Sequence, residues 1–206
     1  TKGTNAPLIK KYNRAFIMTH IFETGTISRT ELSKATGLSK GGLTPIINDL
    51  LGLNLIEETV SAQGKPGRKP LILEINPDSC SMIAVDWTRN NCVVALVNPG
   101  GVILDKKLYT FTYADTSHTI IKKIHQLIHL LIDNTKSGKI IGIGVVAPGP
   151  INRETGYIYS PPNFHGWSDI PIIKMIREEF AYPIFFENNA NAYGIAEKNF
   201  GTGRKY

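Results

Sequence analysis

The stretch SRTELSKATGLSK, residues 28–40, carries the start and stop signals of one short helix and the start signal of the next. Ser28 and Glu31 have the spacing of a capping box, in which each side chain bonds to the other residue's backbone N–H. Gly37 is a typical helix stop, and Ser39 can cap a second helix. We therefore predict a short capped helix, a tight glycine turn and a further helix.

The patterns on both sides extend this prediction. YNRAFIMTHIFETG (residues 12–25) and KGGLTPIINDLLGLNLI (residues 40–56) each place apolar residues on one helical stripe. Two strand-like segments follow, LIEETV at 55–60 and LILEI at 71–75. Three helices with a tight turn before the third, then two strands with a long tip, are the order of a winged helix-turn-helix. The alternative is a small helical bundle without a partner.

The tip between the two strands reads SAQGKPGRKP, residues 61–70, and is strongly basic. Lys65, Arg68 and Lys69 lie among glycines and prolines, which favour an extended loop. An extended arginine flanked by glycine and proline suits a narrow A·T-rich minor groove, where the negative potential is strongest. By itself such a loop is ordinary solvated surface. Placed after three helices, it indicates a DNA-binding wing.

Pro45 complicates the third helix, because a helix beginning at Lys40 would lose the bond from residue 45 to Gly41. The loss and the ring clash cost roughly 3 kcal/mol. The alternative makes Thr44 the N-cap and Pro45 the first helical residue, where a missing N–H does no harm. We therefore predict that the helix begins at or near Thr44, or is kinked there.

Four polar residues of this segment are candidates for DNA contact: Ser39, Lys40, Thr44 and Asn48. Hydroxyl and amide side chains can read base edges in the major groove, whereas a lysine more often contacts phosphate. Together with Lys65, Arg68 and Lys69 of the tip, they form the predicted DNA-binding set.

Composition is consistent with contact to a polyanion. The 206 residues are 42% hydrophobic and carry a net charge of +6, of which residues 1–76 contribute +4 and residues 77–206 contribute +2.

Cys80 and Cys92 have no metal-ligand spacing and indicate small buried side chains in a reducing compartment. No signal peptide is evident, and the longest apolar run, residues 140–147, is too short to span a bilayer. We expect a soluble, cytoplasmic protein with no membrane partner.

Asn76-Pro77-Asp78 interrupts the pattern and predicts two domains, residues 1–76 and 77–206. The second contains three short strands, then alternating helices and strands, which is the order of an α/β domain of the ribonuclease-H or actin type. The predicted strands are 82–86, 92–97, 102–110, 139–150 and 182–188, and the predicted helices are 118–135, 169–180 and 190–201.

In open α/β sheets, ligands bind beyond the carboxyl ends of the strands. In this sequence those ends fall at Asp86, at residues 147–149 and at residues 187–189. We expect these three segments to lie together and to form the ligand site of the second domain.

The chain resembles a ROK-family transcriptional repressor, in which a winged helix-turn-helix is fused to a sugar-kinase-like domain. The motifs that carry the resemblance are VAPGPIN (146–152), PPNFHGW (161–167) and FFENNANAYGIAEKNFGTG (185–203), and the last is most similar to the xylose-responsive branch. The resemblance implies that Asn163, Asn188 and Asn189 bind sugar hydroxyls, and that Gly149 lets the backbone approach the sugar ring. Amides suit vicinal hydroxyls because they offer a donor and an acceptor together.

The sequence departs from the family's kinases at two places. Asn189 stands where a kinase has an aspartate as general base, and an amide cannot accept a hydroxyl proton. The loop at residues 86–90 lacks the glycines that let backbone amides hold a phosphate. The family's His/Cys zinc cluster would lie beyond Tyr206, and His125 and His129 lack the glutamate of a metalloprotease signature. We therefore expect no catalytic residue, no metal and no cofactor.

Full members of the family continue with a second lobe, so the resemblance implies that this chain is a fragment or a shortened form. We interpret it as a sugar-responsive repressor of genes for carbohydrate uptake or catabolism, or its N-terminal portion. The expected partners are operator DNA, a small sugar or sugar-phosphate effector, and a second copy in a homodimer. Two alternatives remain open: a DNA-binding module whose α/β part serves as an oligomerisation platform, and an active ROK sugar kinase.

Overall fold

Buried apolar side chains gather into two separate clusters, one drawn from residues 17–73 and the other from residues 83–180. The structure is a computed structural model that describes residues 6–61, 69–135, 139–159 and 169–205. The chain divides between Ser79 and Cys80, a few residues after the predicted boundary at Asn76.

The N-terminal unit contains three helices and three short strands. In chain order these are α1 (Ala6–Thr24), β1 (Thr26–Ser28), α2 (Arg29–Thr36), α3 (Lys40–Gly52), β2 (Ile56–Val60) and β3 (Leu71–Ile75). β3 is the middle strand of an antiparallel sheet of order β1-β3-β2. The sequence did not predict β1, because three residues are too few to show the alternation of a strand.

The predicted capping box of α2 is confirmed. The Ser28 hydroxyl accepts from the Glu31 N–H at 3.2 Å, and the Glu31 carboxylate accepts from the Ser28 N–H at 2.9 Å. The Ser28 hydroxyl also donates to the Glu31 carboxylate at 2.7 Å, and this bond, followed by the one from the Ser28 N–H, lowers the pKa of Glu31 because both favour its charged form. Gly37 then ends the helix with a φ of 69°, in the left-handed region that glycine adopts readily.

The predicted start of α3 near Thr44 is wrong, because the helix begins at Lys40 and contains Pro45. Ser39 is the N-cap: its hydroxyl accepts from the Gly42 N–H at 3.2 Å, and its carbonyl accepts from the Leu43 N–H at 2.9 Å. The predicted alternative of a kink at Pro45 stays a prediction.

Burial explains this choice of start. The longer helix places Leu43, which is 2% exposed, one turn before the buried Ile47, and burying a leucine contributes roughly 1.5–3 kcal/mol. The serine cap adds about 1 kcal/mol. Together these terms match the roughly 3 kcal/mol that an internal proline costs. Gly41, whose carbonyl loses its usual partner, is exposed to water.

An ion-pair cluster links α1 to α3. Lys10 Nζ and Arg14 Nη2 each lie 2.7 Å from Asp49 Oδ2. The hydrogen bonds from Lys10 and then Arg14 lower the pKa of Asp49. Both cations therefore link α1 to Asp49 of α3.

The C-terminal unit is an α/β structure. Its elements are β4 (Ser81–Trp87), β5 (Asn91–Val97), β6 (Ile103–Thr110), α4 (Ser117–Asp133), β7 (Ile140–Ala147), β8 (Ile151–Asn152), β9 (Tyr157–Ile158), α5 (Ile172–Glu179), β10 (Ile184–Asn188) and α6 (Asn189–Phe200). β4, β5 and β6 form the predicted antiparallel meander. The short β8–β9 hairpin was not predicted, since each of its strands has two residues.

The main sheet has the order β10-β7-β4-β5-β6, and β4, β7 and β10 run parallel. Helices α4 and α5 contribute their apolar residues to the same core cluster as the buried side chains of these strands. Helix α4 buries a stripe of residues at helical spacing that includes Ile121, Ile124, Ile128 and Leu131. Among the described residues, no helix combines the length and the apolar character that crossing a membrane requires.

Candidate functional site

The first candidate surface is the exposed face of α3. Lys40, Thr44 and Asn48 follow one another at intervals of one helical turn and are exposed, as is the cap residue Ser39. The opposite face is buried in the core through Leu43, Ile46, Ile47 and Leu50. The helix is therefore held by one face and offers polar side chains on the other.

The second part of this surface is the end of the β2–β3 hairpin. The Ser61 N–H donates to the Pro70 carbonyl at 3.0 Å, which closes the base of the tip. Lys69 is exposed next to this bond. The predicted contact residues Lys65 and Arg68 lie outside the described residues, so the structure gives no placement for them.

The residues predicted for sugar binding meet at the carboxyl edge of the main sheet. Parallel β4, β7 and β10 bring Asp86, Gly149 and Asn188 to this edge on three adjacent strands. Asn189 follows as the first residue of α6. Asn163 and the neighbouring Trp167 lie outside the described residues.

The side-chain NH₂ group of Asn188 lies beside Gly149. Its Oδ1 accepts from the Ala190 N–H at 2.9 Å and so caps α6. A Cβ at Gly149 would lie 2.6 Å from Asn188 Nδ2, so only glycine fits there without moving this amide. Within the described residues, no hydrogen bond from Nδ2 to a protein partner is found, which leaves its two N–H groups for a ligand.

Asn189 uses its side-chain N–H groups in hydrogen bonds within the protein. Its Nδ2 lies 3.1 Å from the Trp87 carbonyl and 3.4 Å from Asp86 Oδ1. Its Oδ1 is buried and has no partner among the described residues. This amide therefore ties the start of α6 to the end of β4 and has one acceptor to spare.

Tyr193 completes this cluster and was not among the residues predicted from sequence. Its hydroxyl lies 3.0 Å from each carboxylate oxygen of Asp86 and 3.4 Å from Asn189 Nδ2. Partial burial and the Asp86 carboxylate raise the pKa of Tyr193. The signal that could have identified it is its position four residues after Asn189, on the same face of the last helix.

A charged pair supports the same edge. Glu187 accepts from the Asn188 N–H at 2.8 Å and from Asn191 Nδ2 at 3.1 Å, and Arg153 Nη1 lies 2.7 Å from its other oxygen. The Asn188 N–H, followed by the Asn191 amide, lowers the pKa of Glu187. The carboxylate thus fixes the backbone and side chains around Asn188.

The loop after Asp86 is a tight turn rather than an open cradle. The Thr88 N–H donates to the Asn91 carbonyl at 2.9 Å, and the Thr88 hydroxyl lies 3.0 Å from the same oxygen. The Asn91 N–H lies 3.3 Å from the Thr88 hydroxyl. These donors are used within the turn and are not directed at a ligand.

Histidines of α4 have ordinary packing roles. His129 Nε2 lies 2.7 Å from Glu179 Oε1, and the His125 ring packs edge-on against Phe180. Burial lowers the pKa of His125. Within the described part of the chain, no three His, Cys, Asp or Glu side chains are grouped so as to hold a metal ion.

Comparison with known proteins gives three findings. The model of the ROK family matches residues 82–206. A xylose repressor from Caldicellulosiruptor bescii is 28% identical over 98% of this chain and 51% of its own length, whereas a glucokinase from Thermotoga maritima is 32% identical over 60% of this chain and 38% of its own. The chain spans about half the length of the curated repressors that it matches.

Among solved structures, a ROK family transcriptional regulator described as a homologue of the Escherichia coli Mlc protein superposes with a TM-score of 0.72. It has 24% sequence identity and covers 93% of this chain and 49% of its own. This similarity shows a shared fold. The prediction of an actin-like α/β lobe of the sugar-kinase type is thereby confirmed.

We expect Gly149→Ala to destabilise the C-terminal unit, because the new Cβ would displace Asn188 from its capping position on α6. Loss of an N-cap costs about 1 kcal/mol. Differential scanning calorimetry should show a lower Tm for that unit. Gly194→Ala, on the open side of the same helix, is the matched control and should leave the Tm unchanged or raise it. A Gly149→Ala variant as stable as Gly194→Ala would contradict the role given to Asn188.

Proposed function

We propose that this chain, which belongs to the ROK family, is part of a sugar-responsive transcriptional regulator that binds operator DNA as a homodimer and represses genes of carbohydrate uptake or catabolism. The observation that carries the proposal is the extent of the similarities. The xylose repressor matches 98% of this chain, through both units, whereas the glucokinase match covers 60%. The match to a repressor therefore takes in the N-terminal unit, whereas the glucokinase match is too short to cover both units.

The N-terminal unit supports DNA binding as a winged helix-turn-helix. Helix α2, the left-handed Gly37 and the Ser39-capped α3 form the helix-turn-helix, and the β2–β3 hairpin takes the place of a wing. Lys40, Thr44 and Asn48 on the exposed face of α3 enter the major groove, and Lys69 contacts the backbone beside it. Lys65 and Arg68 belong to the wing in this proposal.

The first turn of α3 also supports close approach of a partner. A Cβ at Gly41 would meet no heavy atom within 4 Å, and one at Gly42 would meet only the Ser39 hydroxyl at 3.5 Å. Nothing inside the described chain therefore requires these glycines, although glycine costs up to about 1 kcal/mol relative to alanine in a helix. A DNA backbone lying against this turn supplies a reason, since only glycine would leave it room.

The C-terminal unit supports binding of a small sugar at the strand ends. The free Asn188 amide and the adjacent Gly149 backbone offer the polar contacts that hydroxyls require. Asn163 would join them, and Asn189 supports the site by holding the start of α6 against the end of β4. Because two of the matched repressors are named for xylose, D-xylose is the first effector to test.

In this proposal, the C-terminal unit does not catalyse phosphoryl transfer. Asn189 is not a base, the Asp86 carboxylate accepts the single O–H of Tyr193, and the Thr88 amide is used within its own turn. Phosphoryl transfer depends on positioned phosphates and metal, and these residues provide neither.

We predict opposite effects on stability and DNA binding for Gly41→Ala. Helix propensity should slow amide hydrogen exchange in α3 by up to about fivefold, while affinity for DNA should fall about tenfold because the methyl group meets the duplex. Gly52→Ala is the matched control, since this glycine is also exposed on α3 with nothing within 4 Å. It should stabilise the helix and leave DNA affinity unchanged.

The probe is a duplex selected from a random pool by the unmodified full-length chain, with binding followed by fluorescence anisotropy at several salt concentrations. Failure of the unmodified chain to enrich any sequence would contradict the proposed function. Enrichment followed by equal binding of Gly41→Ala and Gly52→Ala would contradict only the close approach at Gly41.

We further predict that Asn189→Asp does not create a kinase. A general base is typically worth 10²- to 10⁴-fold in rate, but the variant would still lack a phosphate-holding loop. A coupled ADP-release assay with pentoses, hexoses and amino sugars should show no turnover for either protein, with a known sugar kinase as positive control. Turnover by the unmodified chain at roughly 1–100 s⁻¹ would instead identify an enzyme.

A further inference from the structure

Tyr193 combines exposure with fixed orientation. Its side chain is 50% exposed, yet its hydroxyl lies 3.0 Å from each oxygen of Asp86. A phenol has one O–H, which donates to one carboxylate oxygen at a time. Asn189 Nδ2 approaches the phenol oxygen at 3.4 Å, and the second lone pair of that oxygen can still accept. The hydroxyl is therefore held as a donor to the protein while remaining an acceptor for a ligand.

Asp86 holds this tyrosine without help from a cation. Among the residues that the structure describes, the polar side chains bonded to Asp86 are Tyr193 and the Asn189 amide, whose contact is longer at 3.4 Å. A hydrogen bond to an ionised carboxylate is stronger than one between neutral groups. The carboxylate thus fixes the direction of the tyrosine side chain at the end of β4.

The position of Tyr193 relates it directly to the free amide of Asn188. β4, which carries Asp86, and β10, which ends at Asn188, flank β7 in the sheet. Two strand spacings separate them, or about 10 Å. The Tyr193 hydroxyl, bonded to Asp86, therefore lies at the end of β4, and Asn188 lies at the end of β10, on the other side of β7.

Resting on the function proposed above, we infer that Tyr193 is a sugar-contacting residue of the effector site and that Asp86 positions it. The half-exposed ring offers an apolar face to the C–H groups of a monosaccharide, and the phenol oxygen accepts from one of its hydroxyls. Small-molecule sites commonly pair an aromatic surface with a few fixed polar groups. In this site the aromatic surface comes from α6 and the amide donors come from Asn188.

The test is isothermal titration calorimetry of the full-length protein with D-xylose and a panel of other pentoses and hexoses. Tyr193→Ala should lower the affinity for the best-bound sugar at least about tenfold, and Tyr193→Phe about fivefold, because the latter keeps the ring. Tyr113→Ala is the matched control: Tyr113 is fully exposed, and its substitution should leave sugar affinity unchanged.

Sugar binding by Tyr193→Ala within twofold of the unmodified protein would overturn the inference alone. No binding by the unmodified protein to any sugar would overturn the effector half of the proposed function as well.

Monodeoxy sugars separate contact from a merely structural role. If Tyr193 accepts from one hydroxyl, the analogue lacking that hydroxyl should bind the unmodified protein and Tyr193→Phe equally, while the other analogues retain the fivefold difference. A uniform loss across all analogues would overturn the contact.

Asp86→Ala should weaken sugar binding, and Asp86→Asn, which keeps an acceptor oxygen, should recover most of the lost affinity. Hydrogen exchange of α6 verifies that each variant is folded.

Discussion

Parallel pairing of β4, β7 and β10 is the constraint on which the candidate effector site depends. Because the three strands run in the same direction, their carboxyl ends meet at one edge, and Asp86, Gly149 and Asn188 arrive there from distant parts of the sequence. The Asn189 amide and the Tyr193 hydroxyl then fasten α6 to the end of β4. These contacts hold the side chains of the candidate site in place at one edge of the sheet.

The N-terminal unit follows a similar logic on a smaller scale. Helix α3 is anchored by four buried aliphatic residues, and Asp49 ties it to Lys10 and Arg14 of α1. This anchoring leaves the opposite face free for polar side chains at one-turn intervals. The structure thereby separates the residues that stabilise α3 from those that we propose bind DNA.

Much of the fold could be predicted from periodicity and local signals. The capping box at Ser28, the helix that became α4 and the alternation of strands and helices after residue 77 were all predicted from the sequence. The start of α3 was not, because it depends on burying Leu43, a tertiary effect that together with the Ser39 cap offsets the local cost of Pro45. The two-residue strands β8 and β9 are too short to leave a pattern.

The candidate site was only partly predictable for a related reason. A strand-end rule identifies Asn188 and Gly149, but the partners of Asn189 come from β4, about a hundred residues earlier in the chain. Tyr193 lies within a family motif, but its bond to Asp86 depends on how α6 and β4 are placed. Long-range hydrogen bonds of this kind depend on the sheet topology, which no local pattern encodes.

The most direct test of this account is the thermodynamic coupling between sugar and DNA. DNA affinity would be measured by anisotropy with and without saturating sugar, and sugar affinity by calorimetry with and without the selected duplex, on the full-length protein at one salt concentration. A sugar-responsive regulator requires that each ligand change the affinity of the other by the same factor, typically 5- to 150-fold. If both ligands bind and neither affects the other, the protein is a DNA-binding module with an independent sugar site, and the account is contradicted.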